Sequence, residues 1–178
     1  MKKILAVLVV FIVFMGCSSL KITTDFDPEF NFLEQKSFSI VHKFTQGEDT
    51  LLNDRLISAL INELKNKAYV EVSKEEADLI FVFNTNAESK TDIDTSYSMV
   101  GYGGYHYGGH MIPTTRSYSY TKGTLIIDAL NPKDKKIVWR GIATDILKSY
   151  DNPQERIEYI KMVVKEAMKE FPSLVPAQ

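Results

Sequence analysis

The stretch GTLIIDALNPKDKKIVWRG, residues 123–141, reads as two β-strands and the turn that joins them. Leu125, Ile127 and Ala129 fall on one face, with Ile126 and Leu130 on the other, which is the period-two alternation of a strand. Beyond the turn, Ile137, Trp139, Gly141 and Ala143 share a face opposed by Val138, Ile142 and Ile146. Between them, Asn131-Pro132-Lys133-Asp134-Lys135 is polar and carries a proline, the chemistry of a hairpin turn. Strands over about residues 116–130 and 136–148 are therefore expected to pair antiparallel. Trp139 suits core packing better than a ligand platform.

Working outward, LIFVF at residues 79–83 is apolar on both faces, which marks a central strand. It continues in polar form through Asn84, Thr85 and Asn86 towards Asp92 and Asp94. Before it, Leu52, Leu56, Leu60 and Leu64, with Ile57 and Ile61, make a stripe at helical spacing, and Asp49 or Thr50 supplies the N-cap. That helix is expected to end near Lys67, with a short strand at residues 69–72. Past the hairpin, Ile157, Ile160, Val164, Ala167 and Phe171 recur at spacings of three and four and predict a second helix, stopped by Pro172. Asp151 with Gln154 resembles a capping box, and Pro153 suits the first turn. The far face of this helix mixes Glu158, Glu166 and Glu170 with Lys161, Lys165 and Lys169, an ordinary solvated face.

Two further strands are expected near the start, KITTD at residues 21–25 and FSIVHKF at residues 38–44. In the second, His42 shares the more apolar face with Phe38, Ile40 and Phe44 and reads as a partly buried histidine near a strand end. A catalytic role would need an acid and a nucleophile beside it. The acid pairs Asp25/Asp27 and Asp92/Asp94 lack the further oxygen ligands of a hard-cation site and read as solvated turn residues. No metal site is expected.

GYGGYHYGG, residues 101–109, holds five of the nine glycines, with Tyr102, Tyr105, Tyr107 and His106, and His110 next to it. Each glycine costs a helix about 1 kcal/mol, so His106 and His110 lack the helical geometry that would make their spacing a metal signal. A hairpin tip or loop at about residues 97–112 is expected, with Tyr102, Tyr105, His106 and Tyr107 as a contact surface against a membrane or a partner.

The N-terminus bears on location. Lys2 and Lys3 precede 12 apolar residues, 4–15, too few to cross a bilayer as a helix, which takes about 20. With Gly16 this describes a signal peptide over residues 1–16. FMGC, residues 14–17, resembles the lipobox of bacterial lipoproteins, which implies diacylation of the Cys17 thiol, removal of the signal and acylation of the new amino terminus. Cys17 is the one cysteine in the chain, so no intramolecular disulfide is available to it. Residues 17–20 are then an anchored, short tether, and Ser18 is what the resemblance associates with transfer to the outer membrane, facing the periplasm. Removing residues 1–16 from the 178 leaves 162. It takes Lys2 and Lys3 from the 21 bases, so 19 face 23 acids, net −4. A mildly acidic single domain over residues 21–178 argues against nucleic acid and against electrostatic docking on anionic lipid.

Taken together, DFDPEFNFLEQKSFSI (residues 25–40), EEADLIFVF (75–83), the Gly/Tyr-rich connection, GTLIIDALNPKDKKIVWRG (123–141) and the closing helix ending in Phe171-Pro172 resemble the lipoprotein family catalogued as domain of unknown function 4136. The resemblance implies an exported α/β domain and supplies no catalytic residues. Two helical stripes and five or six β segments predict an α/β (α+β) two-layer sandwich, a mostly antiparallel sheet with both helices on one face. The functional expectation is a membrane-anchored, non-enzymatic envelope lipoprotein, a binding or structural module close to the membrane surface. Its expected partners are membrane lipid, through acylated Cys17, and an envelope protein; no cofactor is expected. A carrier or sensor of a lipid or other apolar ligand is the alternative, walled by the same apolar stripes. A hydrolase is the weakest reading, since no GxSxG elbow is present.

Overall fold

The hairpin at residues 123–141 forms the middle of a six-stranded sheet. The computed structural model describes residues 19–44, 46–100 and 110–175, with backbone alone at 99, 100 and 110–112. Its strands are β1 (Lys21–Phe26), β2 (Ser37–Ile40), β3 (Val70–Glu71), β4 (Leu79–Val100), β5 (His110–Leu130) and β6 (Ile137–Ile146). The helices are α1 (Thr50–Asn66) and α2 (Pro153–Ala167). Strand order is β1-β6-β5-β4-β2-β3. The pairs β1–β6, β6–β5 and β5–β4 are antiparallel, whereas β2 runs parallel to both β3 and β4. The sheet is thus mixed: parallel neighbours need a crossover, and α1 supplies it between β2 and β3.

Both helices lie on one face of the sheet, as the stripes predict. Phe38, Phe81, Ile127, Ala129, Trp139 and Ala143 alternate onto that face and join Leu60 and Leu64 of α1 and Val164 and Ala167 of α2 in one core. On the opposite face Ile80, Val82, Ile126 and Ile142 are half-buried, beside a two-pronged ion pair in which Arg140 Nε and Nη2 donate to Asp128 at 2.6 and 2.8 Å. Phe171 is the hub of the core, with ring centroids 5.2 Å from Trp139, 5.3 Å from Phe81 and 5.5 Å from Tyr69. Gly141 is a glycine because a Cβ there would run into the Trp139 ring and come within 2.8 Å of the Ala167 carbonyl oxygen.

Several boundaries differ from the sequence expectations, each for a local reason. A bulge between Ala129 and Leu130 sets Ala129 opposite Trp139 and Leu130 opposite Ile137. Val138 is thereby buried beside Trp139, while Ile137 is exposed rather than sharing the tryptophan's face. The second helix is capped by Asn152, not Asp151: the Asn152 carboxamide oxygen accepts from the Gln154 N–H at 2.8 Å, with Pro153 in the first turn. It ends at Ala167, so Phe171 is reached through a turn and Pro172 follows it. β2 stops at Ile40, which puts His42 beyond the strand. Asp49 caps α1, accepting from the Leu52 N–H at 3.0 Å.

The largest departure is the length of β4 and β5. β6 ends at Ile146, opposite Lys122, yet β4 and β5 stay paired to Val100 and His110. Residues 89–100 against 110–121 form a two-stranded ribbon roughly 40 Å long, at about 3.3 Å per residue.

Candidate functional site

Register places three features at one end of the sheet. Lys21 sits opposite Thr144, Thr144 opposite Thr124, and Thr124 opposite Asn86. Beyond this line lie Ser19 and Leu20, just before β1, and the ribbon leaves in the same sense. The third feature is a cleft opening between the helices and the sheet.

The chain before β1 is fixed there by Asp145. Asp145 shares the inward face of β6 with Trp139, Gly141 and Ala143, and is buried. The Ser19 hydroxyl donates to Asp145 Oδ1, and the Tyr159 hydroxyl donates to Oδ2 at 2.7 Å. The Ile146 N–H also donates to Oδ1, at 2.8 Å. Burial raises the Asp145 pKa, but these hydrogen bonds outweigh it and hold the carboxyl below its ordinary value. Burial and the same carboxylate push the Tyr159 phenol up.

Beside Asp145 lies a cleft of about 280 Å³. Leu52 and Leu56 come from α1, Ile160 and Val163 from α2, and Leu125 and Ala143 from the sheet. Leu20 lines it too, and Leu147 lies over Gly123 where any Cβ would collide with it, so this glycine lets Leu147 close the cleft's edge. The signal was present in the sequence: an aspartate at the inward register of Trp139, Gly141 and Ala143 is a buried acid in need of donors.

The ribbon has two unlike faces. One, continuous with the helix-covered side, carries Ser89, Thr91, Ile93, Thr95 and Tyr97 opposite Thr121, Ser119, Ser117, Thr115 and Pro113, and bears no charge. Hydroxyl contacts cross it, Thr91 to Ser119 at 3.2 Å and Thr95 to Thr115 at 3.5 Å. The other carries Lys90, Asp92 and Asp94 opposite Tyr120, Tyr118 and Arg116. Ile93 and Tyr97 are 69% and 68% exposed, so nothing within the described residues covers the uncharged face.

His42 stacks on Phe83, centroids 4.5 Å apart and planes 5° from parallel, and meets Phe44 edge-on. Its Nε2 lies 2.9 Å from Glu48 Oε2 and 3.0 Å from Asn53 Nδ2, and Asn53 also donates to Glu48 at 2.9 Å. The structure thus supplies an acid that the sequence reading did not pair with His42. The assembly is a carboxylate, a carboxamide and an imidazole. It ties the segment after β2 to the first turn of α1, where Asn53 is buried.

Of the residues singled out in the sequence, Cys17, Tyr102, Tyr105, His106 and Tyr107 lie outside the described residues. His110 is described in backbone only, as the β5 residue opposite Val100. Asp25 faces Arg140 across β1–β6, and Asp27 Oδ1 accepts from the Glu29 N–H at 2.9 Å. Among the described residues no group of three or more His, Cys, Asp or Glu is placed to hold a metal ion. No described helix is long and apolar enough to cross a membrane.

The mixed sheet with two helices on one face defines an α+β protein. The chain matches the family described as Domain of unknown function (DUF4136) over residues 22–173, and it belongs to that family. Curated proteins give no match. Among solved structures it is similar in fold to a PDZ domain protein from Parabacteroides distasonis, at TM-score 0.55 and 15% identity, over 87% of this chain and 37% of that one. The chain therefore spans little more than a third of that protein's length. Weaker likenesses are to the PelC dodecamer from Paraburkholderia phytofirmans (TM-score 0.48, 10% identity, 84% of this chain, 94% of that). A minor lipoprotein from Acinetobacter baumannii is weaker again (TM-score 0.35, 9% identity, 78% and 98%).

Proposed function

We propose that this chain is an acylated envelope protein, held at the outer membrane and facing the periplasm, that works by binding and not by catalysis. Cys17 carries the lipid, and the β4–β5 ribbon is the element that meets a neighbouring envelope protein. The observation that carries this reading is the shared end of the sheet. Lys21 and the root of the ribbon lie at the same end of the sheet. An anchor four residues before Lys21, a tether of about 14 Å, therefore keeps that root near the membrane and leaves the longer ribbon to run along the surface.

The ribbon's chemistry favours a protein over the bilayer interior. Lys90, Asp92, Asp94 and Arg116 are costly in hydrocarbon, and their mixed signs give no net attraction to anionic headgroups. An antiparallel ribbon with one charged and one uncharged face is built to pack one face and solvate the other. In sequence, Tyr102, Tyr105, His106 and Tyr107 fall between its two strands. The alternative reading, a carrier or sensor of an apolar ligand, has the cleft in its favour.

Photoreactive residues placed singly at Ile93 and at Asp92, and irradiated in cells, test the ribbon. The expected result is one reproducible neighbour captured from Ile93, with several-fold less from Asp92 on the opposite face. No reproducible product from Ile93, or equal capture from both faces, would remove the ribbon as the contact element.

A further inference from the structure

We infer that the cleft between α1, α2 and the base of the ribbon takes one acyl chain of the lipid on Cys17, so that part of the anchor is housed in the protein's own domain. The inference rests on the acylation of Cys17 proposed above. Three observations select this occupant.

The first is chemistry. Leu52, Leu56, Ile160 and Val163 present aliphatic walls. At the polar rim, the Ser19 and Tyr159 hydroxyls both donate to Asp145. Thr85, Asn86 and Thr124 also line the cleft, but its wall is mainly apolar and its one carboxylate is already engaged by the chain itself, which suits an alkyl segment. The second is size. A cleft of about 280 Å³ stands at the small end of the roughly 300–1,000 Å³ typical of ligand pockets, and suits a single chain better than a whole diacyl lipid.

The third is position. Leu20 forms part of the lining and Ser19 is held at the rim by Asp145, so the polypeptide itself leads from Cys17 to the cleft. Cys17 is two residues from Ser19, a reach of roughly 7 Å at about 3.5 Å per residue. Burial of a methylene is worth about 0.8 kcal/mol whether the chain enters the cleft or the bilayer, so transfer energy does not choose between them. Proximity does. A chain attached this close competes at an effective concentration of order millimolar or above, whereas a diffusible lipid must first leave the membrane. With one chain inside, the domain is held in a fixed attitude to the bilayer instead of swivelling on its tether, and the ribbon keeps one orientation.

The test feeds cells a diazirine-bearing fatty acid, purifies the full, lipid-modified chain after irradiation, and maps crosslinks by mass spectrometry. The expected product joins the Cys17 peptide to peptides containing Leu52 and Leu56 or Ile160 and Val163. Val163→Trp and, independently, Thr85→Trp fill the cleft and should lower that product several-fold while label on Cys17 is unchanged. Label on Cys17 with crosslinks to phospholipid alone would overturn the inference and leave acylation standing. Cleft peptides joined to a fatty acyl group not attached to Cys17 would overturn it in favour of a diffusible ligand. Absence of label from Cys17 would overturn both the inference and the acylation beneath it.

Discussion

Asp78 shows how a single carboxylate holds two strands together. Its Oδ2 accepts from the backbone N–H groups of Lys36 and Ser37, both at 3.0 Å, and from the Ser37 hydroxyl at 2.7 Å. Its own N–H donates to that hydroxyl at 3.0 Å. The Ser37 hydroxyl and the Lys36 N–H together hold the Asp78 carboxyl below its ordinary 3.8. A carboxyl whose pKa is lowered by folding stabilises fully above its unfolded value, and the contribution is lost as pH falls through the folded one. In Asp78→Asn the acid-side decline in unfolding free energy, followed by urea denaturation from about pH 5 down to about pH 2, is expected to be shallower than in the parent. An unchanged slope would mean that the folded and unfolded Asp78 titrate alike. Residue roles of this kind were hidden in the sequence because they depend on partners 41 or more positions away. Trp139 was legible as core because its strand alternates cleanly from that residue onward. Val138 was not, because a bulge breaks the alternation, and no composition rule announces a bulge.

The helices are the elements that the sequence shows most plainly, since leucine and isoleucine at spacings of three and four admit one reading. Their ends are less plain. α1 closes with the Ala68 N–H donating to the Lys65 carbonyl at 3.0 Å and the Tyr69 N–H to the Leu64 carbonyl at 3.1 Å. This pattern requires a left-handed residue, and Ala68 adopts φ +68°. A methyl side chain is disfavoured there by about 1–2 kcal/mol, so Ala68→Gly is expected to stabilise the domain by about 1 kcal/mol in urea denaturation. A destabilisation of that size would show that the strain is relieved elsewhere. Ribbon length was the least legible feature of all. Residues 88–95 (ESKTDIDT) alternate charged side chains with mostly hydroxyl ones and have no hydrophobic period, so the strand could be followed only towards Asp94 although pairing continues to Val100.

At the scale of the whole molecule, one end of the sheet gathers the chain's start, the cleft and the root of the ribbon. The grouping follows from topology: β1 enters at the sheet's edge antiparallel to β6, and β6 is antiparallel to β5, so the start of β1 and the ribbon lie at the same end. Strand order is not written in any local pattern, which is why the sequence located the anchor and the Gly/Tyr connection separately and said nothing of their relation. Under the proposed acylation of Cys17, the short tether would give that relation a function, since a domain held within a few residues of the lipid presents the root of its ribbon at a set height. The central claim is therefore that Cys17 is the attachment point. Cys17→Ala, followed by fatty-acid labelling and membrane fractionation, measures it directly. The account predicts complete loss of label and a shift of the protein from the membrane to the soluble fraction. Label and membrane retention that persist in Cys17→Ala would contradict it.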